Sequence, residues 1–409
     1  MGVRRRAFLG GVLLSPLLAA GVGRPSAVSP AAADTAVPPP PTAADWAEYA
    51  EYLRGLAEDD LFSGTVLVAR HGRVLLHEAV GWADRERGVR NTCGTVFCAG
   101  SMGKMFTGVA VARLVERGKV AFDDPLGAHV PGLPAEMADH VTVHHLLTHT
   151  AGMGDVIQGD AGDDAPTTVP ELMELVAAEP LLFPPGTRHQ YSNSGFIAAG
   201  AVVEAHSRRK GLDYAGYVDR HVFRPSGMRR TAVRAYRPGD VPGMAVGYYY
   251  VDADGNPLPP PNGPQPGVPE GGLHPNGHIR QVGNPSGGAH TTAADMLAFS
   301  RALMGGDLLS PEMTATVTTG KTSIGGPMGG EYGYGFTDLR LNGVRVVGHN
   351  GGTPGYEAQL DVYPDTGYTV VVLTNQDRAL MQAMGRVHEM LTGGRSGPPP
   401  SSGGDASQG

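Results

Sequence analysis

Apolar positions at Trp46, Tyr49, Tyr52, Leu53 and Leu56 recur at three- and four-residue steps and predict an amphipathic helix at the start of the folded region. The period then drops towards two. "GTVLVARHG" and "RVLLHEAVGWAD" read as strands meeting at His71-Gly72, which makes a hairpin. "SMGKMFTGVAVARLVERGKV", residues 101–120, is apolar on nearly every side as far as Arg113, so it predicts a deeply buried helix that stops at Gly118. "VTVHHLLTHTAG" predicts a short helix running to Gly152, and "ELMELVAAEP" and "SNSGFIAAGAVVEAHS" predict two more. "TTAADMLAFSRALM" follows, with Thr292 as N-cap. Three strands come next, "VRVVGHN", "YEAQLDVYPD" and "YTVVVLTN", the last two joined at Asp365-Thr366-Gly367. "RALMQAMGRVHEML" closes the fold as a helix.

Strands therefore occur at both ends of the chain and helices in its middle. Tight turns between the C-terminal strands require antiparallel pairing. The expected class is α+β, an antiparallel sheet built from both chain ends, flanked by helices and carrying an inserted, mainly helical lobe. No internal repeat is visible.

The ends of the chain differ from this pattern. Arg4-Arg5-Arg6 followed by Ala7-Phe8-Leu9 fits the twin-arginine export pattern, and Ala31-Ala32-Ala33 offers a cleavage site. The apolar run from Phe8 to Val22 is too short for a comfortable membrane span, so the mature form is expected to have none; an uncleaved anchor is the alternative. The expected organisation is a signal over 1–33, a Pro/Ala linker over 34–45, one folded domain over 46–392 and a disordered Gly/Ser/Pro tail over 393–409. Residues 256–288, rich in Pro and Gly, read as a functional loop or a disordered insertion. Full-length charge is 32 minus 40, or −8; without the four arginines of the first 33 residues it is 28 minus 40, or −12. That argues against nucleic acid or an anionic membrane as partner. Cys93 and Cys98 are the only cysteines, and a disulfide or two thiols remain open.

The chemistry centres on "FCAGSMGKMFTG", residues 97–108. Ser101 and Lys104 share one face of a helix. A lysine in so apolar a helix loses part of its preference for charge and can take a proton from the serine hydroxyl. The same stretch contains Ala99-Gly100-Ser101-Met102-Gly103, a variant of the G-x-S-x-G nucleophile elbow. That reading calls for an α/β-hydrolase with alternating strands and helices.

Two later motifs bear on the choice. "HQYSNSG" holds Tyr191 and Asn193. Tyr191 is a candidate proton donor or acceptor whose pKa an adjacent ammonium would lower, and Asn193 offers a donor and an acceptor. An ordinary turn and helix N-cap would explain the same residues. "VVGHNGGTPGY" ends a β-branched run at His349, Asn350, Gly351 and Gly352. The N–H groups of Gly352 and Ser101 can form an oxyanion hole, although a plain glycine bend explains the motif as well. Tyr332-Gly333-Tyr334-Gly335 reads as strand shaping near the site. His144, His145 and His149 could suggest metal, but no acidic ligand lies at useful spacing.

Taken together, S-x-x-K, then Y-x-N, then H-x-G resembles the penicillin-recognising serine hydrolases: class C β-lactamases, DD-peptidases and related esterases and D-aminopeptidases. The gaps are 191−101, or 90 residues, and 349−191, or 158. "VARLVERGKVAFDDPL", "VTVHHLLTHTAG" and "GGAHTTAADM" resemble that family's connecting segments. The likeness runs from about Trp46 to Leu391. It implies a β-lactamase/transpeptidase-like fold and no cofactor. It also implies Ser101 as nucleophile, Lys104 as base, Tyr191 as proton relay, and Asn193, His349, Gly351 and Gly352 as substrate-binding residues. His349 and Asn350 stand where the commoner K-T-G has lysine and threonine. A histidine with a reference pKa of about 6.5 is mostly neutral at pH 7, so anion recognition is weaker. The implied function is an exported serine acyl hydrolase acting on an ester, a D-amino-acid peptide or a β-lactam. The rivals are an α/β-hydrolase esterase and a non-catalytic penicillin-binding relative.

Overall fold

The computed structural model describes residues 38–156, 165–208, 211–252, 258, 272–325 and 329–394. The expected export signal, the first part of the linker and all but two residues of the tail lie outside them. Eight strands form one antiparallel sheet: Gly64–Arg70 (β1), Arg73–Val80 (β2), Thr322–Ser323 (β3), Glu331–Tyr332 (β4), Thr337–Leu341 (β5), Val344–Thr353 (β6), Tyr356–Tyr363 (β7) and Tyr368–Thr374 (β8). Their spatial order is β3-β4-β5-β6-β7-β8-β1-β2. β1 pairs with β8 from Gly64↔Thr374 to Arg70↔Tyr368, which joins the two ends of the chain.

Side chains alternate across a strand, and here both faces are covered. Val66, Val68, Val370 and Val372 pack under the terminal helices Ala43–Glu58 (α1) and Leu380–Thr392, through Trp46, Tyr49, Leu53 and Met384. Leu67, Ala69, Val371 and Leu373 face the larger core of the helical lobe. That lobe includes Gly103–Glu116 (α2), Val143–Leu147 (α3), Asn193–Ser207 (α4) and Ala293–Met304 (α5). α2 is buried on all sides, and Phe106 meets Phe223 and Phe299 edge to face at 5.0 Å each. An antiparallel sheet with Ser101 on a 3₁₀ turn excludes the α/β-hydrolase reading, which needs a parallel sheet behind the serine.

Several boundaries move. α1 begins inside the expected linker because Thr42 and Asp45 form a capping box. The helix expected to reach Gly152 ends at Leu147. Thr148 bonds back to the His144 carbonyl, and His149 turns left-handed at φ 59°. β6 does not stop at the glycines. It continues to Thr353, because residues 347–353 pair with β7 as far as Thr353↔Tyr356. The two cysteines are free thiols, Cys93 exposed and Cys98 buried. From the Pro/Gly stretch, Gln281–Val282 pairs with Ala235–Tyr236, and the turn at 284–288 folds against the start of α2. Among the described residues no helix is long and apolar enough to cross a membrane.

Candidate active site

Three chain segments meet at Ser101. The turn 99–101 lies against the end of β6, so closely that only glycine fits. A Cβ on Gly351 would sit 2.1 Å from the Ala99 carbonyl oxygen and 2.8 Å from the Ser101 nitrogen. A Cβ on Gly100, which has φ +49°, would sit 2.5 Å from the Gly352 nitrogen. Gly287 closes the third side, where the Gly288 amide donates to the Gly100 carbonyl at 3.1 Å.

The register sets the direction of the Gly352 amide. Thr353 and Tyr356 flank a two-residue turn, so they form a hydrogen-bonded pair. Gly352↔Glu357 is then the alternate, non-bonded pair, and its N–H points away from β7, towards the Ser101 turn. β5 pairs with β6 only as far as Gly348, which leaves this edge open.

Lys104 is fully buried in α2. Its Nζ lies 3.2 Å from Ser101 Oγ, 2.7 Å from Asn193 Oδ1 and 2.7 Å from the Ser286 carbonyl oxygen. Burial lowers its pKa to about 7, against an opposing pull from Asp155. The partners then fix what a neutral amine does. Asn193 Oδ1 and the Ser286 carbonyl can only accept, so they take the two N–H bonds. The lone pair is left facing Ser101. Asn193 is held in this orientation because its Nδ2 donates to Asp155 Oδ2 at 2.7 Å.

The Tyr191 hydroxyl donates to Ser101 Oγ at 2.7 Å, and Lys104 Nζ lies 4.6 Å from the centre of its ring. The expectation of a lowered pKa is reversed. Burial pushes Tyr191 above its ordinary value, the bond to Ser101 eases it, and Asp155 adds to the rise. The residue is 40% exposed, so solvent on its open side limits that rise. An ammonium would have lowered it, but Lys104 itself has lost much of its charge. The neutral phenol is thus a proton donor.

His349, expected to bind substrate, is buried, only 2% exposed. Nδ1 donates to the Asn350 carbonyl at 2.5 Å, and Nε2 accepts from the Tyr332 hydroxyl at 2.7 Å. Burial, then Lys104, lowers its pKa to about 3. The ring is neutral with both nitrogens occupied, so it offers a ligand no charge and no donor. His144 Nδ1 meets the Tyr334 hydroxyl, His145 Nδ1 accepts from the Thr142 amide, and His149 Nδ1 accepts from the Ser192 amide. Asp155 had no signal in the sequence, being a lone acid in "GMGDV". Ser286 lies in the Pro/Gly stretch 256–288, which the sequence left open between a functional loop and a disordered insertion.

Comparison with known proteins gives a consistent set. The family model described as Beta-lactamase matches residues 46–390. Esterase EstB of Burkholderia gladioli is 31% identical over 361 residues, covering 80% of this chain and 89% of that protein. Penicillin-binding protein 4* of Bacillus subtilis (strain 168) is 27% identical over 341 residues, covering 79% and 70%. The crystal structure of a penicillin binding protein from Bacillus halodurans matches with a TM-score of 0.69 and 30% identity, over 83% of this chain and 98% of that one. D-amino acid amidase from Ochrobactrum anthropi SV3 shares the fold, with a TM-score of 0.69 at 22% identity, over 85% and 99%.

Proposed function

The chain belongs to the beta-lactamase family of serine hydrolases, and from that premise we propose that it is an exported acyl hydrolase whose preferred substrates are esters or amides without a carboxylate beside the scissile bond. The observation that carries the reading is Lys104 Nζ, buried and held 3.2 Å from Ser101 Oγ by two obligate acceptors. Ser101 gives its proton to Lys104 and attacks the acyl carbon. The developing oxyanion takes the N–H groups of Ser101 and Gly352. Tyr191 protonates the leaving group and is resupplied from Lys104. Water then attacks the acyl-serine, its proton returns through the same groups, and Ser101 is restored. Asn193 keeps Lys104 aimed and offers its remaining polarity to the substrate.

The substrate preference rests on His349. A β-lactam or a D-Ala-D-Ala terminus presents a carboxylate, and a buried neutral imidazole with both nitrogens occupied cannot pair with it. The likeness to Esterase EstB points the same way. Incubation with p-nitrophenyl butyrate and with a fluorescent penicillin, followed by mass spectrometry, is the test. The expected outcome is an acyl adduct on Ser101 and at least a tenfold higher kcat/KM for the ester. No adduct with either probe would overturn the hydrolase reading, and faster turnover of the penicillin would overturn the preference.

Export belongs to the same proposal and rests on Arg4-Arg5-Arg6-Ala7-Phe8-Leu9. Replacing all three arginines by lysine should leave the protein and its activity inside the cell. Unchanged appearance outside would contradict the twin-arginine route.

A further inference from the structure

His149 lies outside the groups that the mechanism uses, yet it grips the Tyr191 segment at three points. Its ring packs against the Tyr191 ring, with centroids 4.3 Å apart and planes inclined by 33°. Its Nδ1 accepts the Ser192 amide at 3.1 Å. Its carbonyl accepts the Gln190 amide at 2.8 Å. Residues 190, 191 and 192 are thus each held by one side chain or its own backbone. The ring also meets Tyr332 at 4.6 Å, and Tyr332 is the partner of His349.

Two features make this position unfavourable for a histidine chosen only for packing. After α3 the Thr150 amide bonds back to the His145 carbonyl, the closing bond of a Schellman motif, and His149 holds its left-handed position at φ 59°. Glycine, and after it asparagine, is the usual residue there. The ring is also 2% exposed, and its Nε2 has no hydrogen-bond partner among the described residues. Because Nδ1 accepts from a backbone amide, the neutral tautomer carries its proton on that unpartnered Nε2. A strained backbone and an orphaned donor at one residue beside a reactive group are what a functional constraint leaves behind.

We propose that His149 is a positioning residue for Tyr191: the imidazole is the platform that holds the phenol against Ser101 for proton transfer to the leaving group. This rests on the acyl-enzyme reading above. Losing the platform displaces the hydroxyl rather than removing it, and a displacement of about 1 Å in such a group can cost on the order of 100-fold in rate.

The test uses the full chain with p-nitrophenyl butyrate and the variants H149N, H149G, Y191F and H149N/Y191F. Asparagine tolerates φ 59° and can still accept from the Ser192 amide, but it has no ring. H149N is expected to keep its thermal midpoint within a few degrees, to lose about 10- to 100-fold in kcat and to change KM by less than about threefold. The double variant should be no slower than Y191F alone, because His149 acts through that hydroxyl. If H149N fails to fold, H149G carries the same comparison, since the backbone there suits glycine. Wild-type kcat in H149N, or losses that multiply in the double variant, would overturn the proposal. Failure of the wild-type protein to acylate Ser101 would overturn the acyl-enzyme reading instead, so the two failures are distinguishable.

Discussion

Lys104→Met is expected to lower kcat/KM for an activated ester by about 10³-fold or more, and Ser101→Ala by a similar factor. The two groups act as one unit across 3.2 Å. Once the serine is gone, the amine has no proton to take; once the amine is gone, the hydroxyl stays un-ionised. The double variant should therefore be no worse than either single one. Independent, multiplying losses would mean that Lys104 does something other than activate Ser101. Methionine has about the length of lysine and fits the buried position, but it leaves Asn193 Oδ1 and the Ser286 carbonyl without their Lys104 donor. The thermal midpoint, expected to fall by several degrees while the protein stays folded, separates that loss from the lost rate.

The pH profile follows from the same group. With Lys104 at about 7, the free amine forms as pH rises, so kcat/KM should climb through that value and fall about tenfold per unit below it. The folded pKa lies below the unfolded 10.5. Between those values the unfolded chain binds a proton that the folded chain does not, and stability rises with pH across that window. A profile that is flat from pH 5 to 9 would remove Lys104 as the base.

Gly351→Ala is expected to cost about 10²- to 10³-fold in kcat/KM, comparable to losing one oxyanion donor. Its added Cβ meets the backbone oxygen of Ala99 at 2.1 Å, and a backbone contact cannot be relieved by a rotamer change. The end of β6 must move away from the Ser101 turn and carry the Gly352 amide with it. The strain should also lower stability by about 1–3 kcal/mol. Wild-type kcat/KM on p-nitrophenyl butyrate would mean that the two N–H groups do not act together.

Periodicity was enough to read β1, β2, β6, β7, β8 and most helices, because those strands are long and largely apolar; the strands β3, β4 and β5 at one side of the sheet are two to five residues long, partly exposed, and carry no such pattern. It was enough for Lys104 as well, since one lysine among Met105, Phe106 and Val109 is conspicuous in any apolar helix. What periodicity cannot carry is the direction a polar side chain takes once the segments meet. His349 alternates onto the inner face of β6, where Tyr332 and its own strand occupy both ring nitrogens, and its residue type alone does not show this. The upward shift of Tyr191 comes from burial, eased by the bond to Ser101 and increased by Asp155, and that burial exists only once separate segments have closed over the ring. The early end of the helix after Leu147 follows from local threonine bonds and a left-handed histidine that no hydrophobic pattern marks.

The glycine contact between the Ser101 turn and β6 joins residues 351 and 101, which are 250 positions apart. Contacts so distant in sequence form late, after the entropy of closing the intervening loop has been met. A chain still being synthesised therefore carries its serine and lysine long before the strand that completes the oxyanion hole exists. Reactivity needs both ends of the chain, and any truncation ahead of Val344 should yield a protein that is chemically silent, however well its helices form.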